Sequence, residues 1–191
     1  MKVYEYKDYQ DYIDNQVSTT KTKSDWVYAK KETIKKISLI KGIAVKNILC
    51  HGTRSAGEQK YFLENYPNAY IVGSEISETG KDYPMTVIHD FNKVKKEWVG
   101  KFDIVYSNSF DHTITPLETL TVWKNQLNKN GTLFLEYAER QSRCHSADPL
   151  DATEKEIEQL IRDSGLVITD EIRDGVKHSG VVYVCKGEMN D

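Results

Sequence analysis

Residues 46–75, KNILCHGTRSAGEQKYFLENYPNAYIVGSE, read as a short apolar strand (Ile48, Leu49, Cys50), a turn holding Gly52 and Gly57, a helix, a second strand (Tyr70, Ile71, Val72) and a terminal acid, Glu75. A strand, a glycine turn opening a helix, and an acid roughly 20 residues on is an arrangement that holds a nucleoside. The helix start carries partial positive charge, and the acid accepts from the ribose hydroxyls. This is a binding expectation rather than an activity.

The chain of 191 residues is long enough for one domain with a proper core. Its 39% hydrophobic and 29% charged residues are those of an ordinary soluble protein. A formal net charge of −3 gives no general pull toward nucleic acid or an anionic membrane, so neither is the expected partner. The charged start, MKVYEYKDY, is unlike a signal peptide and no run has the length of a membrane span, so a cytoplasmic location is expected. Cys50, Cys144 and Cys185 are widely spaced without a CxxC pair, which argues against a disulfide framework or a zinc site.

Residues 1–44 are rich in tyrosine and lysine, and Trp26, Ala29, Ile34, Ile37 and Ile40 keep roughly helical spacing behind Ser24 or Asp25 as N-cap. They predict a helical cover over one sheet edge. The tyrosines Tyr4, Tyr6, Tyr9 and Tyr12 are expected to pack or face solvent, with one lining a substrate pocket as the sharper alternative. Beyond the opening unit, Met85 to Ile88 predict a third strand, followed by a short polar helix with Val94 and Trp98, and Phe102 to Tyr106 a fourth strand. Thr115-Pro116-Leu117-Glu118 has capping-box spacing with proline at the first helical position, predicting a helix to about Leu127. Thr132 to Tyr137 predict a fifth strand, and the polar residues 138–152 a long loop above the sheet. Thr153 and Glu156 repeat the capping box, and Gly165 ends that helix. The last two strands, residues 166–172 and 181–185, are too close for a crossover and must form an antiparallel hairpin. The expected fold is therefore α/β: a Rossmann-like three-layer sandwich whose seven-stranded, mostly parallel sheet ends in an antiparallel hairpin. It forms one domain, with 1–44 as cover and 45–186 as core.

That order of motifs resembles the class I S-adenosylmethionine-dependent methyltransferases over about residues 45–186. ILCHGTRSAGE stands at the place of that family's glycine-rich first motif, GSEIS of the acidic second, IHDFN of the third and FDIVYSNSFDH of the fourth. More narrowly, CHGTR, GSEIS, HDF and YSNSFDH together resemble a bacterial group of small methyltransferase-like proteins. The resemblance implies S-adenosylmethionine as cofactor. Glu75 would hold the ribose, Asp90 and Phe91 the adenine, and His51, Gly52, Thr53, Arg54, Gly57 and Glu58 the methionine end, with Ile76 a further cofactor contact. Ser107 and Asn108 would border cofactor and acceptor, while His112, or Asp111, would serve as base. The first motif departs from the pattern: Cys50 and His51 stand where an acid is usual, and the close glycine pair is replaced by Gly52 and Gly57. Asp90 has an alternative as a helix N-cap.

Asp111, His112, Glu136, Glu139, His145 and Asp148 share no metal-ligand spacing, so no metal is expected. Arg140, Arg143 and Lys177 read as a solvated rim, with an anionic acceptor as the alternative. Methylation of an oxygen or nitrogen of a small, possibly sugar-like molecule is the leading function. A methyltransferase-like binding protein without turnover is the second reading, supported by the altered first motif. A nicotinamide-dependent oxidoreductase is the third, although it lacks a GxGxxG turn. A Walker-type phosphate loop is weaker still, because Glu58 stands where its lysine must be.

Overall fold

The computed structural model describes residues 1–24, 26–40, 44–138, 144–173 and 180–187. The first unit forms as expected. Strand β2 (Asn47–His51) leads through the turn into helix α3 (Gly57–Asn65) and strand β3 (Tyr70–Glu75). β4 (Thr86–Ile88), β5 (Phe102–Ser107), helix α4 (Pro116–Gln126), β6 (Leu127–Tyr137), helix α5 (Glu154–Asp163) and the hairpin β8 (Leu166–Arg173) and β9 (Val181–Gly187) complete the core. The sheet order is β4-β3-β2-β5-β6-β9-β8, parallel from β4 to β6 and antiparallel at β9 and β8. This is the expected seven-stranded Rossmann-like sandwich.

The period of two along each strand sorts the core into two layers. Leu49, Val72, Val105, Leu133 and Leu135 face Trp123 of α4 and Ile157 and Ile161 of α5. Ile48, Cys50, Ile71, Ile104, Tyr106 and Phe134 face Phe62 of α3 and Ile34 and Ile37 of helix α2 (Lys31–Ser38). The chain runs outward from β2 through β3 to β4 and then returns to β5 on the other side of β2. That reversal opens a crevice beyond the carboxyl ends of β2 and β5, where open α/β sheets bind ligands.

The N-terminal cover differs from expectation in two ways. The helix foreseen from Trp26 begins only at Lys31, with Lys30 as an N-cap that makes no side-chain bond. Trp26, Val27 and Tyr28 lie outside it and are exposed. Meanwhile helix α1 (Tyr9–Thr22), capped by the Asp8 carboxylate on Asp11 N–H, crosses the carboxyl ends of the strands rather than covering an edge. Its buried positions are Tyr12, Gln16 and Thr20, a polar stripe spaced i, i+4, i+8, because they meet polar site residues instead of the core.

Smaller corrections follow. Thr115 makes no side-chain cap, so α4 starts on Pro116 alone, whereas the Thr153–Glu156 capping box is formed in full. The short helix expected near Val94 is a single 3₁₀ turn at Lys96–Trp98, with Val94 exposed. β6 begins at Leu127, five residues early, across a bulge opposite Phe102. The loop before α5 contributes a short strand, β7 (Leu150–Asp151), paired with β1 (Lys2–Val3). No helix among the described residues is long and apolar enough to cross a membrane. Cys50, Cys144 and Cys185 are free thiols.

Candidate functional site

The turn after β2 sets the geometry. Gly52 and Thr53 donate their N–H groups to Ser74 O of β3 at 2.9 and 3.1 Å, which folds the chain back over the sheet edge. Gly52 has φ +71°, and a Cβ there would lie 2.6 Å from Ser109 Cβ, so only glycine permits this approach to the turn after β5. Left-handed backbone recurs at Arg54 (φ 41°) and Ala56 (φ 59°), giving positive φ at alternate residues 52, 54 and 56. Residues 52, 54 and 56 thus share a backbone region that favours glycine, with Arg and Ala at two of the three positions. The sequence had pointed to Gly57 instead; its φ is not positive, and it opens α3 tightly against Val27.

Two adjoining cavities occupy the crevice. The larger, about 260 Å³, is lined by Gly52, Thr53, Arg54, Glu58, Asn108, Asp111, His112 and Asp148, with Trp26 and Tyr28 at one side. The smaller, about 40 Å³, lies under α1 between Tyr12, Gln16, Thr20, Glu75, Ile76, Asp90 and Phe91. Gly52, Arg54, Ser109 and His112 belong to both.

Glu75, at the end of β3, is 4% exposed. Its Oε2 accepts from Arg54 N–H at 2.9 Å; its Oε1 accepts from Ser77 N–H at 2.8 Å and from Thr20 Oγ1 at 3.2 Å. Asp90 is not a helix cap: its carboxylate closes a turn on Asn92 N–H at 2.9 Å and accepts from the Tyr9 hydroxyl of α1. Phe91 reaches the small cavity but packs mainly in the core, edge-on to Trp123.

Glu58 lies in the first turn of α3, 5% exposed, and burial pushes its carboxyl up to about 7, against the opposing pull of Arg54. The Arg54 guanidinium donates to Trp26 O at 3.3 Å and stands 5.4 Å from the Tyr28 ring centre. Asn108 Nδ2 is buried at the wall of the larger cavity, where the Asn108 amide faces Glu58 and helps to draw its carboxyl down.

His112, on the single turn Phe110–His112 after β5, has a fixed tautomer. Gln16 Nε2 faces the carbonyls of Ser146 and Ala147 at 3.3 Å, so Gln16 Oε1 must accept from His112 Nδ1–H at 2.8 Å. His112 Nε2 then faces Asp111 Oδ1 and Asp148 Oδ1, each at 3.8 Å.

Two expected contacts turn away from the cavities. The fully buried His51 ring lies between Ser74 Oγ and Gln126 Oε1, 2.8 Å from each, and burial lowers it to about 3. Ser107 is likewise buried; its Oγ donates to His51 O and accepts from Ser109 N–H, joining the two turns. The site residues that the sequence reading missed are Gln16 and Thr20; only a polar stripe starting from the Asp8 cap could have signalled them. Glu139, Arg140, Arg143 and Lys177 lie outside the described residues.

No family model and no curated protein matches the sequence. Among solved structures, a 1,6-didemethyltoxoflavin-N1-methyltransferase from Burkholderia thailandensis superposes with a TM-score of 0.72 at 15% identity, over 96% of this chain and 92% of that one. A S-adenosylmethionine-dependent methyltransferase from Clostridium acetobutylicum gives 0.61 at 11% identity, over 82% and 90%. The mitomycin 7-O-methyltransferase MmcR gives 0.63 at 11% identity over 82% of this chain, which spans 54% of that longer protein. With its sheet order, its terminal hairpin and the crevice between β2 and β5, the chain has the fold of the class I S-adenosylmethionine-dependent methyltransferases.

Proposed function

We propose that the protein transfers a methyl group from S-adenosylmethionine to an oxygen or nitrogen of a small molecule. The observation that carries this reading is the meeting of the two cavities at Gly52, Arg54, Ser109 and His112. One has the lining of a nucleoside site around Glu75, and the other has room for an acceptor beside a histidine. The Burkholderia thailandensis protein was solved with S-adenosylhomocysteine bound, which supports the choice of cofactor.

The residues present suit that group. The Glu75 carboxylate is placed to exchange the Thr20 hydroxyl for a ribose hydroxyl, with Ile76 beside it. Asp90 and Phe91 border the adenine end. The turn from Gly52 to Glu58 and the Asn108 amide receive the methionine end, where an ammonium group favours the ionised form of Glu58. When bound, the cofactor supplies an electrophilic methyl group that leaves sulfur as the acceptor attacks, giving S-adenosylhomocysteine. The chain then has to hold the acceptor in line and take its proton. His112 Nε2 is the atom for that proton, since Nδ1–H is held by Gln16, and the carboxylates of Asp111 and Asp148 stabilise the resulting imidazolium.

Calorimetric titration with S-adenosylmethionine and S-adenosylhomocysteine tests the reading. Binding to the folded protein with loss of affinity in Glu75→Gln is expected; no binding of either ligand overturns it. Binding without turnover on an acceptor panel would favour a binding protein, the reading supported by the altered first motif.

A further inference from the structure

Asp111, His112 and Asp148 come from two separate segments, the turn after β5 and the loop before β7, yet one ligand atom of each lies within 4.8 Å of the others. The convergence is not a matter of acidic residues alone. The third donor is an imidazole nitrogen, Nε2, which lies 3.8 Å from one oxygen of each carboxylate, and the orientation of its ring is set from outside the group. Gln16, 5% exposed, holds His112 Nδ1–H, and the orientation of the Gln16 amide is fixed by the Ser146 and Ala147 carbonyls. A histidine ligand held through its other ring nitrogen is the usual second layer of a metal site.

We propose that Asp111, His112 and Asp148 bind a divalent cation of the Mn²⁺ or Zn²⁺ type on the wall of the larger cavity. A cation about 2.1 Å from each donor needs donor–donor separations of roughly 3–4 Å. The two distances of 3.8 Å from His112 Nε2 meet that requirement, and the two carboxylate oxygens lie within 4.8 Å of one another. One nitrogen and two carboxylate oxygens suit these cations better than Cu(I) or an iron–sulfur cluster, which want thiolate. Three protein ligands leave positions open toward the cavity. An acceptor with a hydroxyl or neighbouring oxygens would coordinate there, and its hydroxyl proton would leave to solvent more readily under the cation's charge. The cation site stands on its own donors; only this choice of acceptor rests on the methyl-transfer reading. A cation at Nε2 replaces the proton there, so His112 is then a ligand and not a base.

The test uses full-length protein stripped of metal with a chelator. Mn²⁺ is titrated with electron paramagnetic resonance reading the free ion, and Zn²⁺ by calorimetry, with Mg²⁺ as comparator. One bound equivalent of Mn²⁺ or Zn²⁺ is expected. Asp148→Asn and His112→Ala should each weaken it more than tenfold, and Gln16→Ala, which acts through the His112 ring, by about 10–100-fold. Circular dichroism checks that each variant is folded. A folded wild-type protein that takes up neither ion, or variants that bind as wild type does, overturn the proposal. S-Adenosylhomocysteine is titrated into the same samples: metal binding without it defeats only the methyl-transfer reading, and the converse defeats only the cation site.

Discussion

The His51 imidazole stacks on the Trp123 indole, with ring centres 4.9 Å apart and planes 16° from parallel. This places a neutral histidine in the core at the end of β2, seven residues before Glu58, a carboxyl that burial holds protonated up to about pH 7. Their effects on stability oppose each other. His51 falls from an ordinary 6.5 to about 3, so the unfolded chain binds its proton first and stability is lost as pH drops below 6.5. Glu58 rises from 4.5 to about 7, so the folded chain binds its proton first and stability is lost as pH rises through 7. Each alone gives a slope of about 1.4 kcal/mol per pH unit, and between pH 4.5 and 6.5 the two cancel.

Glu58→Gln removes one side of this balance. Relative to wild type, the variant should lose about 2–3 kcal/mol between pH 6.5 and 4.5, read from urea denaturation at several pH values. Parallel pH profiles for the two proteins would show that Glu58 is not protonated in the fold.

Protonated Glu58 also couples ligand binding to pH. If the cationic end of the cofactor meets Glu58, binding favours the ionised carboxylate and expels a proton. Affinity should therefore rise from pH 6 to pH 8, and calorimetry in buffers of different ionisation enthalpy should detect up to one proton released. A proton count of zero at pH 6.5 would place the ammonium group elsewhere.

Thr20 and Glu75 give a second separable pair. Glu75 holds two backbone N–H groups, of Arg54 and Ser77, besides the Thr20 hydroxyl. Glu75→Ala should thus cost stability, about 1–3 kcal/mol for each donor left buried, as well as ligand affinity. Thr20→Val removes only the hydroxyl that occupies Oε1. It should change stability by about 1 kcal/mol or less while strengthening S-adenosylhomocysteine binding several-fold, since a ribose hydroxyl no longer competes for that oxygen. Weaker binding in Thr20→Val would make Thr20 a ligand contact instead.

The sheet was legible because its signals are local: apolar runs between Gly52, Pro84, Gly131 and Gly165, and a hairpin connection too short for a crossover. Glu75 was legible as a residue at a strand end, and His112 as one in the turn that follows a strand. Helix α1 was not, because its inward stripe of Tyr12, Gln16 and Thr20 is mostly polar, and apolar periodicity finds only faces that meet a core. The direction of His51 was hidden for a related reason. A terminal strand residue has one of two faces, and here Ser74 and Gln126, 23 and 75 residues away, supply the partners that settle a polar ring in the core. Asp148 joined Asp111 and His112 only through tertiary packing, as metal-ligand spacing in sequence cannot report a pair 37 residues apart.

Ala56 tests whether the turn after β2 retains the glycine-type backbone. At φ 59°, ψ 27° it sits in the left-handed region, where an L residue carries about 1 kcal/mol of strain, and it is also the N-cap of α3 without a side-chain bond. Glycine at that position relieves the strain and is the better cap, while losing more entropy on folding. Buried at 6% exposure, Ala56 also gives up one methyl group of packing. The two losses, each below about 1 kcal/mol, offset much of the gain, so Ala56→Gly should leave stability within about 0.5 kcal/mol of wild type. The same substitution at an ordinary buried helical alanine costs about 1 kcal/mol or more. A comparable loss at Ala56 in urea denaturation would mean that its left-handed conformation is unstrained, and that the turn no longer imposes on residue 56 what a glycine there would relieve.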